Sequence, residues 1–116
     1  MKAKKTILLC GATGFIGRNL LDFYSSKPEY HIRAVYNIRP PFESTRAVEW
    51  IKADLNQSDD VKRAVKGVDI ILQFAATTSG AGDIVSRPHI HVTDNAVMNS
   101  LLLREAYEQG VEHFIF

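Results

Sequence analysis

The chain has 116 residues, 46% of them hydrophobic, so its length suits a single domain that buries a real but small core. Its net charge is +1 with both signs well mixed, which argues against a surface that binds nucleic acid or a membrane. No apolar run approaches the ~20 residues of a membrane span and no signal peptide is visible, so we expect a cytoplasmic protein.

The first predicted element is a strand from Thr6 to Cys10, which leads directly into a glycine-rich heptapeptide. Cys10 is the only cysteine, so no internal disulfide can form, and we expect its thiol to be buried in the core. The heptapeptide is Gly11-Ala12-Thr13-Gly14-Phe15-Ile16-Gly17. A helix is predicted to follow it, with an apolar face made of Ile16, Leu20, Phe23 and Tyr24.

A strand, a glycine turn and a helix in this order are the context of a dinucleotide-binding loop. Gly11 permits the tight turn, and Gly14 lets the backbone approach a pyrophosphate. Gly17 lets the new helix pack closely on the strand. The free N–H groups and the positive dipole end of the helix then favour phosphate binding at this loop.

The middle of the chain continues the alternation of strands and helices. Ser58 is predicted to cap a helix whose first turn holds Asp59 and Asp60, because carboxylates favour the helix dipole there. Gly67 is expected to end this helix. Further strands are predicted from Ile32 to Tyr36, from Val48 to Lys52, from Val68 to Phe74 and from Val111 to Phe116.

A long helix is predicted from about Thr93 to Gln109, with Gly110 as its C-terminal signal. Its predicted apolar face consists of Ala96, Ser100, Leu103 and Tyr107. Strands and helices that alternate in this way predict an α/β fold with a doubly wound parallel sheet of strand order 3-2-1-4-5. The apolar fifth strand has no following helix to cover it, so we expect residues 1–116 to be an incomplete dinucleotide-binding domain, truncated at the fifth strand.

The segment after the second strand indicates which dinucleotide the loop would bind. In NAD-selective proteins an acidic residue lies ~20 residues beyond the glycine loop and binds the ribose hydroxyls. Here the segment is Val35-Tyr36-Asn37-Ile38-Arg39, without a carboxylate. Arg39, together with Arg18, could pair with a 2′-phosphate, which favours NADP(H) without excluding NAD(H). The alternative is that most of the arginines in this part of the chain, which are Arg33, Arg39 and Arg46, are ordinary solvated surface charges.

The G-x-x-G-x-x-G spacing resembles the short-chain dehydrogenase/reductase superfamily. GATGFIG resembles either its extended, nucleotide-sugar branch, the NAD-dependent epimerase/dehydratase family, or its atypical NADP-binding branch. The resemblance covers essentially the whole chain. It includes Asp54-Leu55 after the third strand, Phe74-Ala75-Ala76 at the end of the fourth, Asn95 near the start of the long helix, and the segment from Glu105 to Phe116. Within the branch, the chain looks most like GDP-fucose synthases and GDP-mannose 3,5-epimerases.

This resemblance implies a role for each matching segment. Asp54 and Leu55 would hold the adenine ring, although Asp54 could instead cap its loop. Ala75 and Ala76 would let the ribose and nicotinamide half lie against the backbone, and the loop that begins at Thr77 would border a sugar-nucleotide substrate. The residues assigned to the cofactor are Gly11, Thr13, Gly14, Phe15, Ile16, Gly17, Asn37, Arg39, Asp54, Leu55, Ala75, Ala76, Thr77 and Asn95.

Two histidines before the long helix raise the question of a metal site. His89 and His91 have a spacing that could bind a metal on a strand, but no third histidine and no cysteine stands at metal-site spacing. We therefore expect no metal and interpret the two histidines as loop residues before the long helix.

The resemblance implies a reaction that needs a tyrosine as acid and base, with a lysine four residues further on. Four positions after Tyr24, Tyr30, Tyr36 and Tyr107 stand Pro28, Ala34, Pro40 and Val111. We therefore predict no catalytic residue in this chain. In the complete enzyme, hydride would move between nicotinamide and the ring of a nucleotide sugar.

Two points stay open at this level. A non-catalytic, redox-sensing NADP-binding regulator of the atypical branch is the alternative function, and the sequence after Phe116 would distinguish the two. Extended members often dimerise through helices packed side by side, so a homodimer through the long helix is a further expectation by analogy.

Overall fold

A parallel sheet with helices on both faces organises the chain. The computed structural model describes residues 4–42, 48–76, 86 and 88–116. Within these ranges the elements are β1 (Lys5–Cys10), α1 (Phe15–Ser25), β2 (Tyr30–Tyr36), β3 (Glu49–Lys52), α2 (Ser58–Val65), β4 (Ile70–Gln73), α3 (Pro88–Glu108) and β5 (His113–Ile115). The strand order is β3-β2-β1-β4-β5 and each neighbouring pair is parallel, which confirms the predicted fold class.

The central strand β1 separates two hydrophobic layers. Leu8 and Cys10 face the layer that α2 and α3 cover, whereas Ile7 and Leu9 face the layer beneath α1. All four side chains are at most 1% exposed, as expected for a central parallel strand buried on both faces. The α2 and α3 residues in the first layer are Val61, Ala64, Val65, Met98, Leu102 and Ala106.

The predicted apolar face of α1 was wrong in part. Gly17 and Leu21 are the buried positions of this helix, whereas Ile16 and Phe23 are each 55% exposed. Gly17 determines the rotation of the helix, because a Cβ atom there would lie 2.7 Å from the carbonyl carbon of Gly11 and would overlap its oxygen. The helix therefore turns its glycine, and not its largest apolar side chains, toward the end of β1.

The predicted apolar face of α3 was also wrong, and the helix begins at Pro88, before the expected start near Thr93. Tyr107 is 88% exposed and Leu103 45%, whereas Met98 and Leu102 are buried. Apolar residues occur on both sides of this helix, so the helical period alone does not identify its inner face. Proline is favoured at the first helical position, because the N–H it lacks would have no intrahelical partner there.

The ends of the helices show which local signals were correct. Ser58 is the first residue of α2 and Gln57 is its N-cap, so the predicted serine cap was wrong. Asp59 and Asp60 lie in the first turn, as predicted. After α3, the Val111 N–H donates to the Ala106 carbonyl, the closing bond typical of a helix that ends in glycine, and Gly110 follows the helix as predicted.

We expect Gly17→Ala to lower the free energy of unfolding by about 1–3 kcal/mol, because the new methyl group would overpack the contact between α1 and Gly11. Gly14→Ala is the matched control, since its Cβ would have the Gly11 oxygen at 3.4 Å as its nearest neighbour. Its expected cost is below about 1 kcal/mol. Urea denaturation of both variants measures this, and equal midpoints would contradict the role given to Gly17.

Candidate functional site

An open cavity of about 430 Å³ lies at the carboxyl edge of the sheet. Its walls come from the segments that follow β1, β2, β3 and β4, and Met98 of α3 adds to them. Since the strand order reverses between β1 and β4, the cavity lies at the switch point where open α/β sheets bind ligands. The lining residues are Gly11, Thr13, Gly14, Val35, Tyr36, Asn37, Ile38, Arg39, Ala53, Asp54, Leu55, Asn56, Phe74, Ala75, Ala76 and Met98.

The glycine loop brings the end of β1 against the end of β4. Gly11 has a φ of +79°, and a Cβ atom there would lie 2.5 Å from the carbonyl oxygen of Phe74. The Phe74 N–H donates to the Cys10 carbonyl at 3.1 Å, and the Gly14 N–H donates to the Gly11 carbonyl at 3.0 Å. Only glycine combines this φ with so close an approach, so Gly11 is required for the shape of the loop.

Gly14 is different, because its backbone is ordinary and the space beside it is open. It is the N-cap of α1 in an extended conformation, with φ −80° and ψ 174°. The first N–H groups of a helix have no intrahelical acceptors, and the helix dipole makes this end positive. Gly14 lines the cavity, so the start of α1 offers N–H donors to an anion that enters there.

Asp54 caps its own loop and is held in place by α2. Its Oδ1 accepts the Asn56 N–H at 3.0 Å, and its own backbone N–H donates to Asp60 Oδ2 at 2.8 Å. The capping role that the sequence left open is therefore present. A carboxylate has two oxygens and about four acceptor sites, so capping leaves Asp54 able to accept a ligand amino group as well.

Two of the basic residues near the cavity have protein partners. Arg39 is exposed at the rim, and its Nη1 donates to the carbonyl of Thr13 in the glycine loop at 3.2 Å. The Arg18 guanidinium lies over the Phe42 ring, 4.3 Å from the centroid. Both arginines also line a shallow groove beside the start of α1.

Arg33, in contrast, supports the fold rather than the site. Its Nε donates to Glu49 at 3.1 Å, and its Nη1 donates to the carbonyls of Ala64 and Lys66 at 2.7 Å each. The interpretation of Arg33 as a simple solvated charge was therefore incomplete, and Arg46 lies outside the described residues.

The cavity brings together nine of the residues assigned to the cofactor. These are Gly11, Thr13, Gly14, Asn37, Arg39, Asp54, Leu55, Ala75 and Ala76. Phe15 and Ile16 are exposed and absent from its lining, and their backbone N–H groups lie in the first turn of α1. Gly17 packs against Gly11 and is absent from the lining, as is Asn95 of α3. Thr77 lies outside the described residues.

Several lining residues were missed. Val35, Tyr36, Ile38, Ala53, Asn56, Phe74 and Met98 were not assigned to the site. Most of them flank the carboxyl ends of strands, so the position of the strand ends could have identified them. Met98 could not have been found, because the opposite face of α3 was predicted to be buried.

The interpretation of His89 and His91 as loop residues was wrong, because both lie in the first turns of α3. Residues two apart on a helix do not face each other, so the backbone there does not place the pair as joint ligands. Within the described ranges there is no group of three or more side chains that could hold a metal ion.

Two further findings concern Cys10 and the helices. Burial raises the pKa of the Cys10 thiol to about 12, so the thiol stays protonated and serves as a packing group. None of the helices in the described part of the chain is long and apolar enough to cross a membrane.

Comparison with known proteins identifies a family. The profile of the NAD dependent epimerase/dehydratase family matches residues 7–116. UDP-glucose 4-epimerase of Vibrio cholerae is 28% identical over 99% of this chain and 35% of its own length. GDP-mannose 3,5-epimerase 1 of Oryza sativa subsp. japonica is 27% identical over 97% of this chain and 30% of its own length. The chain thus spans about a third of these relatives.

A solved structure shows the same fold. UDP-glucose 4-epimerase of Thermotoga maritima, determined with UDP-glucose, superposes with a TM-score of 0.81 at 22% identity. The match covers 96% of this chain and 37% of that one.

We expect Asp60 to make the fold sensitive to acid. The N–H of Asp54 and, secondarily, Arg63 lower the pKa of the Asp60 carboxyl. Because the pKa is lower in the folded state, the Asp60 carboxylate stabilises the fold at pH values above its ordinary pKa of about 3.9. This contribution is lost as the pH falls through the lowered pKa.

Urea denaturation of Asp60→Asn at pH 7 and pH 3 checks this expectation. The variant should be less stable than the unaltered protein at pH 7, and the difference should shrink at pH 3. Asp59→Asn, in the same turn, is the control. A stability difference for Asp60→Asn that does not change with pH would contradict the proposed role of the charge.

Proposed function

The chain belongs to the NAD dependent epimerase/dehydratase family, and from this premise we propose that it forms the dinucleotide-binding part of an enzyme that acts on a nucleotide sugar. The observation that carries the proposal is the glycine loop at the switch point, where the start of α1 meets an open cavity. The sugar-nucleotide substrate is supported by the names of the two epimerases that are 28% and 27% identical.

The chemistry of the cavity fits the parts of a dinucleotide. The first turn of α1 and Gly14 would receive the pyrophosphate, because N–H donors and open space meet there. Asp54 would accept the adenine amino group. Ala75 and Ala76 would lie beneath the ribose and nicotinamide half, since small side chains let a ring system approach the backbone.

In our proposal this chain binds the dinucleotide, and residues elsewhere in the enzyme supply the acid and the base. When bound, the dinucleotide supplies hydride transfer between its nicotinamide and the sugar ring. Tyr36 is the tyrosine in the cavity lining, and Pro40 stands where a lysine would be needed four residues later. We therefore place the acid and base residues outside this chain's cavity lining and keep the prediction that the chain itself is not catalytic.

The choice of NADP(H) over NAD(H) is also part of the proposal. The described residues that follow β2, Asn37 to Phe42, contain no carboxylate that would repel a 2′-phosphate. Arg39 stands at the rim of the cavity, anchored to Thr13, with its guanidinium exposed. A guanidinium that is anchored by one hydrogen bond and otherwise exposed is well suited to pair with a phosphate.

A homodimer through α3 remains a prediction. Its exposed face carries Val92, Leu103 and Tyr107, which are 70%, 45% and 88% exposed. An apolar stripe of this kind is compatible with a second copy packed along the helix. A cytoplasmic location likewise remains an expectation.

We expect Gly14→Val to abolish dinucleotide binding without unfolding the complete protein. The valine side chain would occupy the open space next to the start of α1, while the extended backbone of Gly14 accepts any residue. Calorimetric titration with NADPH measures the loss, and a denaturation curve establishes that the variant is folded. Unchanged affinity in Gly14→Val would show that the glycine loop is not the pyrophosphate site.

We expect the protein to bind NADPH more tightly than NADH and Arg39→Ala to reduce that preference about tenfold, as loss of a charge-assisted pair should. The two titrations are done side by side by calorimetry. Arg104→Ala, on the exposed side of α3, is the matched control and should leave both affinities unchanged. A preference for NADH in the unaltered protein would overturn the proposed cofactor.

A further inference from the structure

Gln73, the last residue of β4, is a polar side chain buried in the core. It is only 5% exposed, whereas most residues around it in the sheet are apolar. Its Nε2 donates to Asn99 Oδ1 on α3 at 3.0 Å, and its Oε1 accepts the Ala75 N–H at 3.0 Å. Both ends of the amide are therefore bonded, which makes it a bridge between a helix and a loop.

The bridge lies where the hydrogen-bonded ladder between β1 and β4 ends. The ladder between β1 and β4 ends at the pair Cys10 and Gln73, and the Phe74 N–H still reaches the Cys10 carbonyl. The next N–H, that of Ala75, lies beyond the ladder and takes the Gln73 side chain as its acceptor. Ala75 is partly buried, and its backbone donor still needs a partner, so the Gln73 side chain supplies the acceptor that a neighbouring strand would otherwise provide.

The bridge also joins two walls of the cavity. Ala75 belongs to the wall that follows β4, and Met98, next to Asn99 in sequence, belongs to the wall made by α3. Gln73 itself is absent from the cavity lining, so it acts on a ligand only through its neighbours.

We propose that Gln73 and Asn99 are positioning residues, which hold the Ala75 backbone and α3 at the separation that the nicotinamide half of the dinucleotide requires. This inference rests on the proposed function, and it concerns residues that the sequence did not single out. In Gln73→Leu the volume is nearly kept, but the Ala75 N–H and the Asn99 amide lose their partners. The Ala75 segment then loses its tie to β4 and α3, and we expect it to shift.

Two substitutions at each position separate hydrogen bonding from packing. Gln73→Leu and Asn99→Leu remove the bridge and should weaken NADPH binding about tenfold. Asn99→Asp keeps an acceptor for Gln73 Nε2 and should bind almost as the unaltered protein does. Gln73→Glu keeps an acceptor for the Ala75 N–H, and a flipped Asn99 amide can donate to it, so its affinity should also be largely retained.

The experiment combines calorimetry with amide hydrogen exchange in the full-length protein. In Gln73→Leu we expect faster exchange at the Ala75 amide, while the Leu72 amide inside β4 stays protected. Ile71→Val is the control for stability, because it weakens the packing of the same strand without touching the bridge. It should lower the melting temperature and leave the NADPH affinity unchanged.

The outcomes separate this inference from the proposed function. If the unaltered protein fails to bind a dinucleotide, the proposed function fails and the positioning role fails with it. If it binds, and both leucine variants bind equally well, the positioning role alone is overturned. If Gln73→Leu does not fold, Asn99→Leu decides the question, because an unchanged affinity there would equally overturn the role.

Discussion

The contact between α1 and the end of β1 is the constraint on which the rest of the site depends. Gly17 lies so close to the Gly11 carbonyl that a methyl group would overlap it, and Gly11 in turn lies against the carbonyl of Phe74. Three chain segments meet there without a side chain between them. Because of this contact, the start of α1 and the end of β4 border one cavity, and the helix N–H groups lie at the switch point of the sheet.

Beyond the sheet, the cavity rim is held by side chains that bond to its backbone. Asp60 accepts the Asp54 N–H, and Gln73 accepts the Ala75 N–H. Arg39 donates to the Thr13 carbonyl. These loops lie past the last ladder bonds, where backbone groups still require partners. Polar side chains beside the cavity therefore bond the backbone groups that strand pairing would satisfy inside the sheet. Each one fixes the shape of a wall that a ligand would contact.

The order of the elements was predictable from the sequence, because the glycine loop, Gly67 and Gly110 mark their ends and apolar runs mark the strands. The faces of the helices were not. Periodicity counts large apolar side chains, whereas the inner face of α1 is defined by Gly17, which has none. In α3 apolar residues lie on both sides, so Tyr107, which was predicted to be on the inner face, is exposed, whereas Met98 is buried. Contacts between distant segments, such as that of Gln73 with Asn99, leave no local pattern and could not be predicted.

The ionisable side chains of the cavity support the separation of binding from catalysis that we propose. In the described lining they are Tyr36, Arg39 and Asp54. Arg39 donates to the Thr13 carbonyl and Asp54 accepts the Asn56 N–H, so each of these groups already holds its own loop. Tyr36 has Pro40, and not a lysine, four residues later. The same groups do suit a ligand with fixed charges, because a guanidinium pairs with a phosphate and a carboxylate accepts from an amino group. In our proposal these lining residues therefore recognise and orient the dinucleotide, and the proton transfer that accompanies hydride movement is supplied by residues outside the described lining.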